Sequence, residues 1–596
     1  GGGSEYGSGI TPLGGHVEML GQDDDTRAAQ GEADRIEIRK GEAADEDTSA
    51  TGEATSAKAA VAGSASTAPV SGPFAEDEYQ LDPRSFPAKS VPQRMAIISA
   101  GVIMNLIFAV IFSAIAFSSG VSYAPCEIGD VVPGSPAWRV GLERGDLIVR
   151  IGKSDPSEHL RFNWDLRNAV VLAGKTDEMS ITVRHTDGRE ESYALRPTIH
   201  QMPGVGEIPQ LGIAPTADVV LYQKMPALKD YPAGQANPPF EGGDRVVAID
   251  GQSVEDGYQI RSLLARLAGK AVTFTVERES KKDETEAGKR VDILVEPNPI
   301  KRLGLVMTMG AISGIYRGSP AEQAGFEIGD VLLTFDGQPI VDPMSLATQL
   351  IPYWGTEVEF QVGRGTSSEP VVVRATPRVP NSFENSFAHL GAPMAIRSLG
   401  LVFPIDPTIL AVTENSPADG LEFEPGDKVV AIQFSTTKKD EENTKLIFDG
   451  EEIPLDDTTV TWPFIFANVQ HMQSDTRIKL TLERNGQRRS ITMHSSPVEN
   501  EFLGERGLVF NAKVKIHRAD SLTAAVGLGF RQTKEDLGRV GTILKKLTTG
   551  GISPNKLGGP LSIVTVAGME ASKGGSELLI FVTLLRANLA ISNFLP

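Results

Sequence analysis

The chain has 596 residues, a length for about four domains, and its 40% hydrophobic but only 6% aromatic content suits several small cores better than one large one. Its 57 basic against 77 acidic residues give a formal net charge of −20, and with no Lys/Arg-rich run this argues against a nucleic-acid partner. The single cysteine, Cys126, excludes intrachain disulfides and a cysteine-built zinc knuckle.

Gly1-Gly-Gly-Ser-Glu-Tyr6 lacks an initiator Met, a charged n-region and an apolar h-region, so it reads as neither a signal peptide nor a natural N-terminus. From Gly31 to Glu78 the chain is rich in Ala, Ser, Thr, Gly and acids and poor in large apolar groups. Such a stretch cannot offset its ordering entropy, and 31–92 is expected to be a disordered acidic insertion or linker. Met95 to Ser122 then carries no charge, enough to cross a ~30 Å hydrocarbon layer, which predicts a transmembrane helix over 93–122. Arg84, Lys89 and Arg94 precede it and Glu127 and Asp130 follow, so the positive-inside rule puts the N-terminal side in the cytoplasm. Asn105, near mid-span, is costly in lipid and predicts a contact with another helix or with backbone.

A pattern then recurs four times, with Gly-Asp anchors at Asp146, Asp244, Asp330 and Asp427. Ser-Pro-Ala stands ahead of three anchors, at Ser135, Ser319 and Ser416, and predicts a capped helix start with Pro in its first turn. Gly-Asp predicts the turn into a buried strand, which ends in an Asp-Gly hairpin at Asp250-Gly251 and Asp336-Gly337. The second copy lacks Ser-Pro-Ala. The pattern resembles the PDZ domain, giving PDZ-like units over 123–199, 200–300, 301–380 and 396–500. PDZ domains take an extended peptide at a sheet edge and hold its C-terminal carboxylate on a Gly-containing loop. Candidate loops are Leu211-Gly212-Ile213, Leu303-Gly304-Leu305 and Leu399-Gly400-Leu401, each standing just ahead of a repeat; each also reads simply as the first strand of its domain. A charged insertion after Ile432 is expected as a solvated loop.

Asp520 to Thr549 repeats apolar groups at helical spacing, with Leu522, Val526, Phe530, Leu537, Val540, Ile543, Leu544 and Leu547 on one side. It is too charged to span, and amphipathic interfacial helices are expected over 518–560. From Leu578 to Pro596 the only charge is Arg586, which predicts the start of a C-terminal transmembrane helix over 576–596.

The ends carry a further resemblance. Ser4-Glu-Tyr6-Gly-Ser-Gly-Ile10-Thr-Pro12-Leu13-Gly14-Gly15-His16-Val-Glu-Met19 is similar to the membrane re-entrant hairpin of site-2 proteases, although His16 stands where that family has an aromatic residue. Gln93-Arg94 with Ala100-Gly101 and Asn105 resembles the family's second transmembrane helix. Leu557-Gly558-Gly559-Pro560 and Asn588-Leu-Ala-Ile-Ser-Asn593-Phe-Leu-Pro596 resemble the approach to its last zinc ligand.

The resemblance implies a multidomain membrane protein: transmembrane α-helices plus an array of about four α+β PDZ-like domains, with a re-entrant hairpin over 1–30. It implies an intramembrane zinc metalloprotease of the bacterial plasma membrane, cutting membrane-anchored, pre-trimmed substrates such as anti-sigma factors, with the PDZ array outside as a size filter. Implied partners are the substrate, the lipid bilayer and peptide C-termini at Gly212, Gly304 and Gly400. Asn588 and Asn593 would bind unwound substrate backbone, and Pro12, Gly14 and Gly15 would shape a hairpin edge for strand addition; interhelical packing is the plainer role for the asparagines. Zn2+ in this family sits on an H-E-x-x-H helix and an L-D-G aspartate. Neither motif occurs among these residues, none of the eight histidines fits the spacing, and the ligands are expected outside this chain, so the segment alone is expected to be inactive. A membrane-anchored PDZ adaptor without catalysis is the competing reading; a serine protease fails for want of a Gly-x-Ser-x-Gly elbow.

Overall fold

A computed structural model describes residues 89–592 apart from 175–176, 203–205, 279–287, 381–382, 384–388, 436–449, 457, 474 and 550–558. Pro12, Gly14, Gly15, His16, the acidic stretch from Gly31 to Glu78, most of the insertion after Ile432 and Asn593 lie outside these residues. The chain divides into a helical unit, up to Val121 and from Arg518, and a β-rich unit, Ser122–His517.

In the helical unit, Val91–Ser119 starts at Ser90, whose backbone N–H donates to Gln93 Oε1 (3.1 Å), and stops at Gly120. Its segment Ser99–Ser119 and the helix Gly575–Ser592 are long and apolar enough to cross a membrane. Leu522–Thr548 forms one helix, capped by Ser521, which accepts from Ala524 N–H. It packs on Val91–Ser119. Its buried stripe is Ala525, Gly529, Gln532, Thr533, Asp536 and Val540, while Leu522, Val526 and Phe530 are exposed. The side read from sequence as apolar is thus, over its first two turns, the outer one. Close helix packing selects small residues, and at Gly529 an added Cβ would lie 2.6 Å from the Val110 carbonyl oxygen. Asp536, fully buried, accepts from Gln532 and is paired with Arg539 at 2.9 Å.

In the β-rich unit each Gly-Asp opens the same three-stranded antiparallel sheet. The first joins Leu147–Ile151, Met179–Arg184 and Glu190–Leu195, and the second Arg245–Ile249, Val272–Arg278 and Lys289–Val295. The third joins Val331–Phe335, Val358–Gly363 and Val371–Ala375, and the fourth Lys428–Ser435, Arg477–Arg484 and Gln487–Met493. Asp250-Gly251 and Asp336-Gly337 all take positive φ, the type I′ geometry that matches strand twist. Ser135 and Ser319 cap short helices through their hydroxyls. At Ser416 the chain makes turns without a helix, and in the second repeat Pro232–Gln235 is 3-10, capped at Tyr231.

A second ladder completes each repeat, and there chain order breaks. Ile128–Val131 pairs with Ile213–Pro215, and Gly314–Ile315 with Leu401–Phe403. Ala217–Leu221 pairs with the distant Phe510–Ala512, and Ile405–Val412 with the earlier Leu305–Met309. The third repeat therefore lies between two paired strands of the fourth. Both lie within the ladder of Asn298–Arg302 with Ser496–Leu503, itself inside the second repeat. The first repeat has the uninterrupted counterpart, Thr198–Met202 with Gly206–Gln210. The consecutive spans 123–199, 200–300, 301–380 and 396–500 are corrected accordingly. Loop closure costs only ~0.6 kcal/mol per doubling of length, so sequence distance is a poor guide to pairing.

Candidate functional site

The loops with Gly212, Gly304 and Gly400 do not serve the repeats they precede. Val132 N–H donates to the Gly212 carbonyl (2.8 Å), so this loop belongs to the first repeat. Tyr316 N–H donates to Gly400 (2.8 Å), within the third, and Thr413 N–H to Gly304 (2.9 Å), within the fourth. The second repeat uses Arg506-Gly507-Leu508, which sequence reasoning missed: Leu228 N–H donates to Gly507 (2.8 Å). Its signal was a fourth glycine followed by an aliphatic residue, hidden by an arginine where the others have leucine. Arg506 is 1% exposed and donates to the carbonyls of Leu267, Ala268 and Lys270, which follow the helix Gly257–Arg266. Burial brings its guanidinium down to about 10.

The four anchor aspartates are turn locks. Each is at most 1% exposed, and each accepts from the backbone N–H three residues earlier, at Glu143, Glu241, Glu327 and Glu424. Each then meets a nitrogen-bearing side chain from the middle strand or its end: His185 on Asp146 (3.1 Å), Arg278 on Asp244 (2.8 Å), Arg364 on Asp330 (2.7 Å) and Arg484 on Asp427. Burial raises Asp146, whose partner is only a histidine. In Asp330 burial is outweighed by Arg364, and in Asp427 the Arg484 hydrogen bonds, helped by Arg489, hold the carboxyl far below the usual range.

Each repeat also carries a helix: Arg167–Ala173 packs on Gly206–Gln210, Gly257–Arg266 on Ala217–Leu221, Leu346–Gln349 on Met394–Ile396 and Trp462–His471 on Ile405–Val412. A strand edge facing a helix is the groove in which an extended peptide is taken up. In the third repeat this place holds Met394–Ile396, paired with Leu401–Phe403 and packed on Leu346–Gln349. In the fourth, Asn298–Arg302 lies on Trp462–His471; Lys301 N–H donates to Gln470 Oε1 and its carbonyl accepts from Gln470 Nε2, both at 2.8 Å.

In the helical unit Asn105 Oδ1 accepts from Arg586 Nη1 at 2.9 Å, and Arg586 also lies 5.9 Å from the Phe108 ring centroid. Thr583 Oγ1 donates to the Ala109 carbonyl (3.3 Å). Asn588 stands half-buried on Gly575–Ser592, two residues past Arg586.

Residues 1–596 match the profile of peptidase family M50. The chain belongs to this family. As an M50 member of the site-2 protease group it is a membrane protein, to which its two apolar helices correspond. A Neisseria meningitidis protein named a "putative zinc metalloprotease" is 25% identical over 341 residues, 53% of this chain and 69% of that one. A Clostridium perfringens protein of the same designation is 33% identical, over 30% of this chain and 57% of its own. The Salmonella typhimurium "Regulator of sigma-E protease RseP" is 25% identical, over 34% of this chain and 44% of its own. The chain thus spans about half the length of the last two.

The names of these M50 relatives imply zinc. Among the described residues no three His, Cys, Asp or Glu side chains gather to hold a metal. Zinc takes three or four such ligands, so the described residues do not fit it. Several histidines have other employment: His185 on Asp146, His200 on the Thr458 carbonyl (3.0 Å), and His159 stacked on His517 with centroids 3.7 Å apart.

Proposed function

We propose that this M50 protein acts as an intramembrane zinc metalloendopeptidase, cutting membrane-anchored substrates, of the anti-sigma-factor kind, once their outer parts have been trimmed. The family match along residues 1–596 carries this reading, supported by the likeness to a protein named a regulator of sigma-E protease. It works in the bacterial plasma membrane, with the four repeats, read as PDZ-like domains, on the extracytoplasmic side as a bulky filter. Zinc and its ligands belong to segments other than the described ones. Asn588 and Asn593 hold unwound substrate backbone, which has to leave the helical form because a helix hides its peptide bonds. Pro12, Gly14 and Gly15 offer the strand edge that receives it.

The test is cleavage of a single-span substrate by the full-length protein in proteoliposomes, with and without 1,10-phenanthroline. Cleavage that chelation abolishes, and that favours a trimmed substrate over one with an intact ectodomain, is the expected result. Zinc-loaded protein that binds the substrate without cutting it would transfer the chain to the adaptor reading.

A further inference from the structure

We propose that the third repeat carries its own ligand: the strand Met394–Ile396 fills the peptide groove, so that this groove is closed to free peptide C-termini while the strand is in place. This goes beyond the proteolytic reading and does not depend on it.

The occupant reproduces each element of strand addition with carboxylate capture. It pairs antiparallel to the edge strand, Met394 with Phe403, Ala395 with Val402 and Ile396 with Leu401, and it runs toward the Gly400 loop, the direction of a bound C-terminus. Its side chains are buried: Met394 and Ile396 are 0% exposed and Ala395 2%. The N–H groups of Leu399 and Gly400 both donate to the Ile396 carbonyl oxygen, at 3.2 and 2.8 Å. That oxygen stands where a terminal carboxylate would be held. The chain then continues through Arg397 and Ser398 instead of ending. Arg397 fastens the turn by an ion pair to Asp130 of the first repeat, 3.2 Å.

The other repeats follow the same plan with looser occupants. Gly206–Gln210 lies on the groove helix of the first. Gly504 lies so close to that of the second that a Cβ would be 3.2 Å from Ala265 Cα. Gln470 clamps Lys301 in the fourth. Among the described residues, the third alone pairs its occupant with the edge strand in a continuous ladder. The occupant also defines the competitor: a short extended peptide ending in an aliphatic residue, with a buried apolar residue two positions before it.

The probe is a fluorescein-labelled peptide ending in Met-Ala-Ile with a free carboxylate, read by anisotropy on the full chain in detergent. The unaltered protein is expected to bind it weakly. Ile396→Asp, which expels the strand, is expected to bind at least about tenfold more tightly and to lose this gain when the peptide is amidated. Equal affinity of both proteins for the free acid would overturn the proposal. Should the variant misfold, hydrogen exchange on the unaltered chain decides. Slow exchange across 394–403, unchanged by excess peptide, sustains a resident strand, and exchange within seconds, or protection appearing only with peptide, refutes it.

Discussion

Gly400 meets Ser319 so closely that a Cβ on the glycine would lie 2.4 Å from the serine Cβ. The same meeting joins Gly212 to Ser135, Gly304 to Ser416 and Gly507 to Tyr231, with the glycine at positive φ each time. Each glycine serves two ends at once, a turn that other residues enter at a cost and a contact that leaves no room for a side chain.

Gly400→Ala is therefore expected to destabilise the third repeat by about 3 kcal/mol, the sum of a positive-φ cost of ~1 kcal/mol and overpacking of ~2. Gly188→Ala, at positive φ but with nothing within 4 Å, isolates the first part and should cost about 1 kcal/mol. Denaturant unfolding followed by hydrogen exchange in the two repeats checks the difference, and equal effects would remove the packing component.

Asp427→Asn leaves Arg484 and Arg489 beside a neutral amide and is expected to cost the fourth repeat about 3 kcal/mol. The pH dependence has a definite sign. The folded carboxyl lies below its unfolded value near 3.9, so its contribution is complete above about pH 4 and is lost as pH falls toward the folded value. Asp146 is displaced the other way: the stability it contributes is present below its unfolded pKa and is lost as pH rises through the raised folded one. Unfolding of the wild type and of each Asn variant between pH 3 and 7 is expected to show slopes of opposite sign.

The Asn105–Arg586 contact predicts that Asn105→Leu destabilises the helical unit by about 1 kcal/mol in detergent, whereas Asn105→Asp keeps an acceptor and loses less. Thermal unfolding in mild detergent measures both, and an unaffected Asn105→Leu would show that Arg586 does not depend on the asparagine.

On Leu522–Thr548 two neighbouring positions should separate cleanly. Gly529→Leu drives a side chain into Val110 and Ala114 and is expected to break helix packing. Phe530→Asp, on the 65% exposed side, should leave packing intact and weaken vesicle association instead. Flotation with liposomes and thermal unfolding of both variants distinguish the two faces.

What could be read from the chain was whatever depends on neighbours in sequence. The charge-free run became the helix Val91–Ser119, the Asp-Gly turns took their positive φ, and Ser135 and Ser319 cap helices, because all three need only a few consecutive residues. The partners of Gly212, Gly304 and Gly400 were not legible. Their pairing is decided by which sheet still lacks a strand, and a Leu-Gly-Leu segment closes a sheet before or after it equally well. On Leu522–Thr548 periodicity marked the apolar stripe of Leu522, Val526 and Phe530, which stays exposed, but not the packing face, because a helix packed on another at short distance buries its glycine and alanine instead. Arg506 shows the limit most plainly, since nothing near it in sequence announces the carbonyls of Leu267, Ala268, Lys270 and Glu296 that it satisfies.

The nesting of strands has a consequence during synthesis. The first repeat can close once Pro215 has left the ribosome, but the second must wait, half-made, until Phe510–Ala512 emerges. The third, needing only Leu401–Phe403, can finish while the fourth still lacks most of its sheet. Strands enter in one order and lock in another, and the last to arrive fastens a sheet begun some three hundred residues earlier. A ribosome stalled before Phe510 would hold a chain with its inner repeats shut and the outer one open.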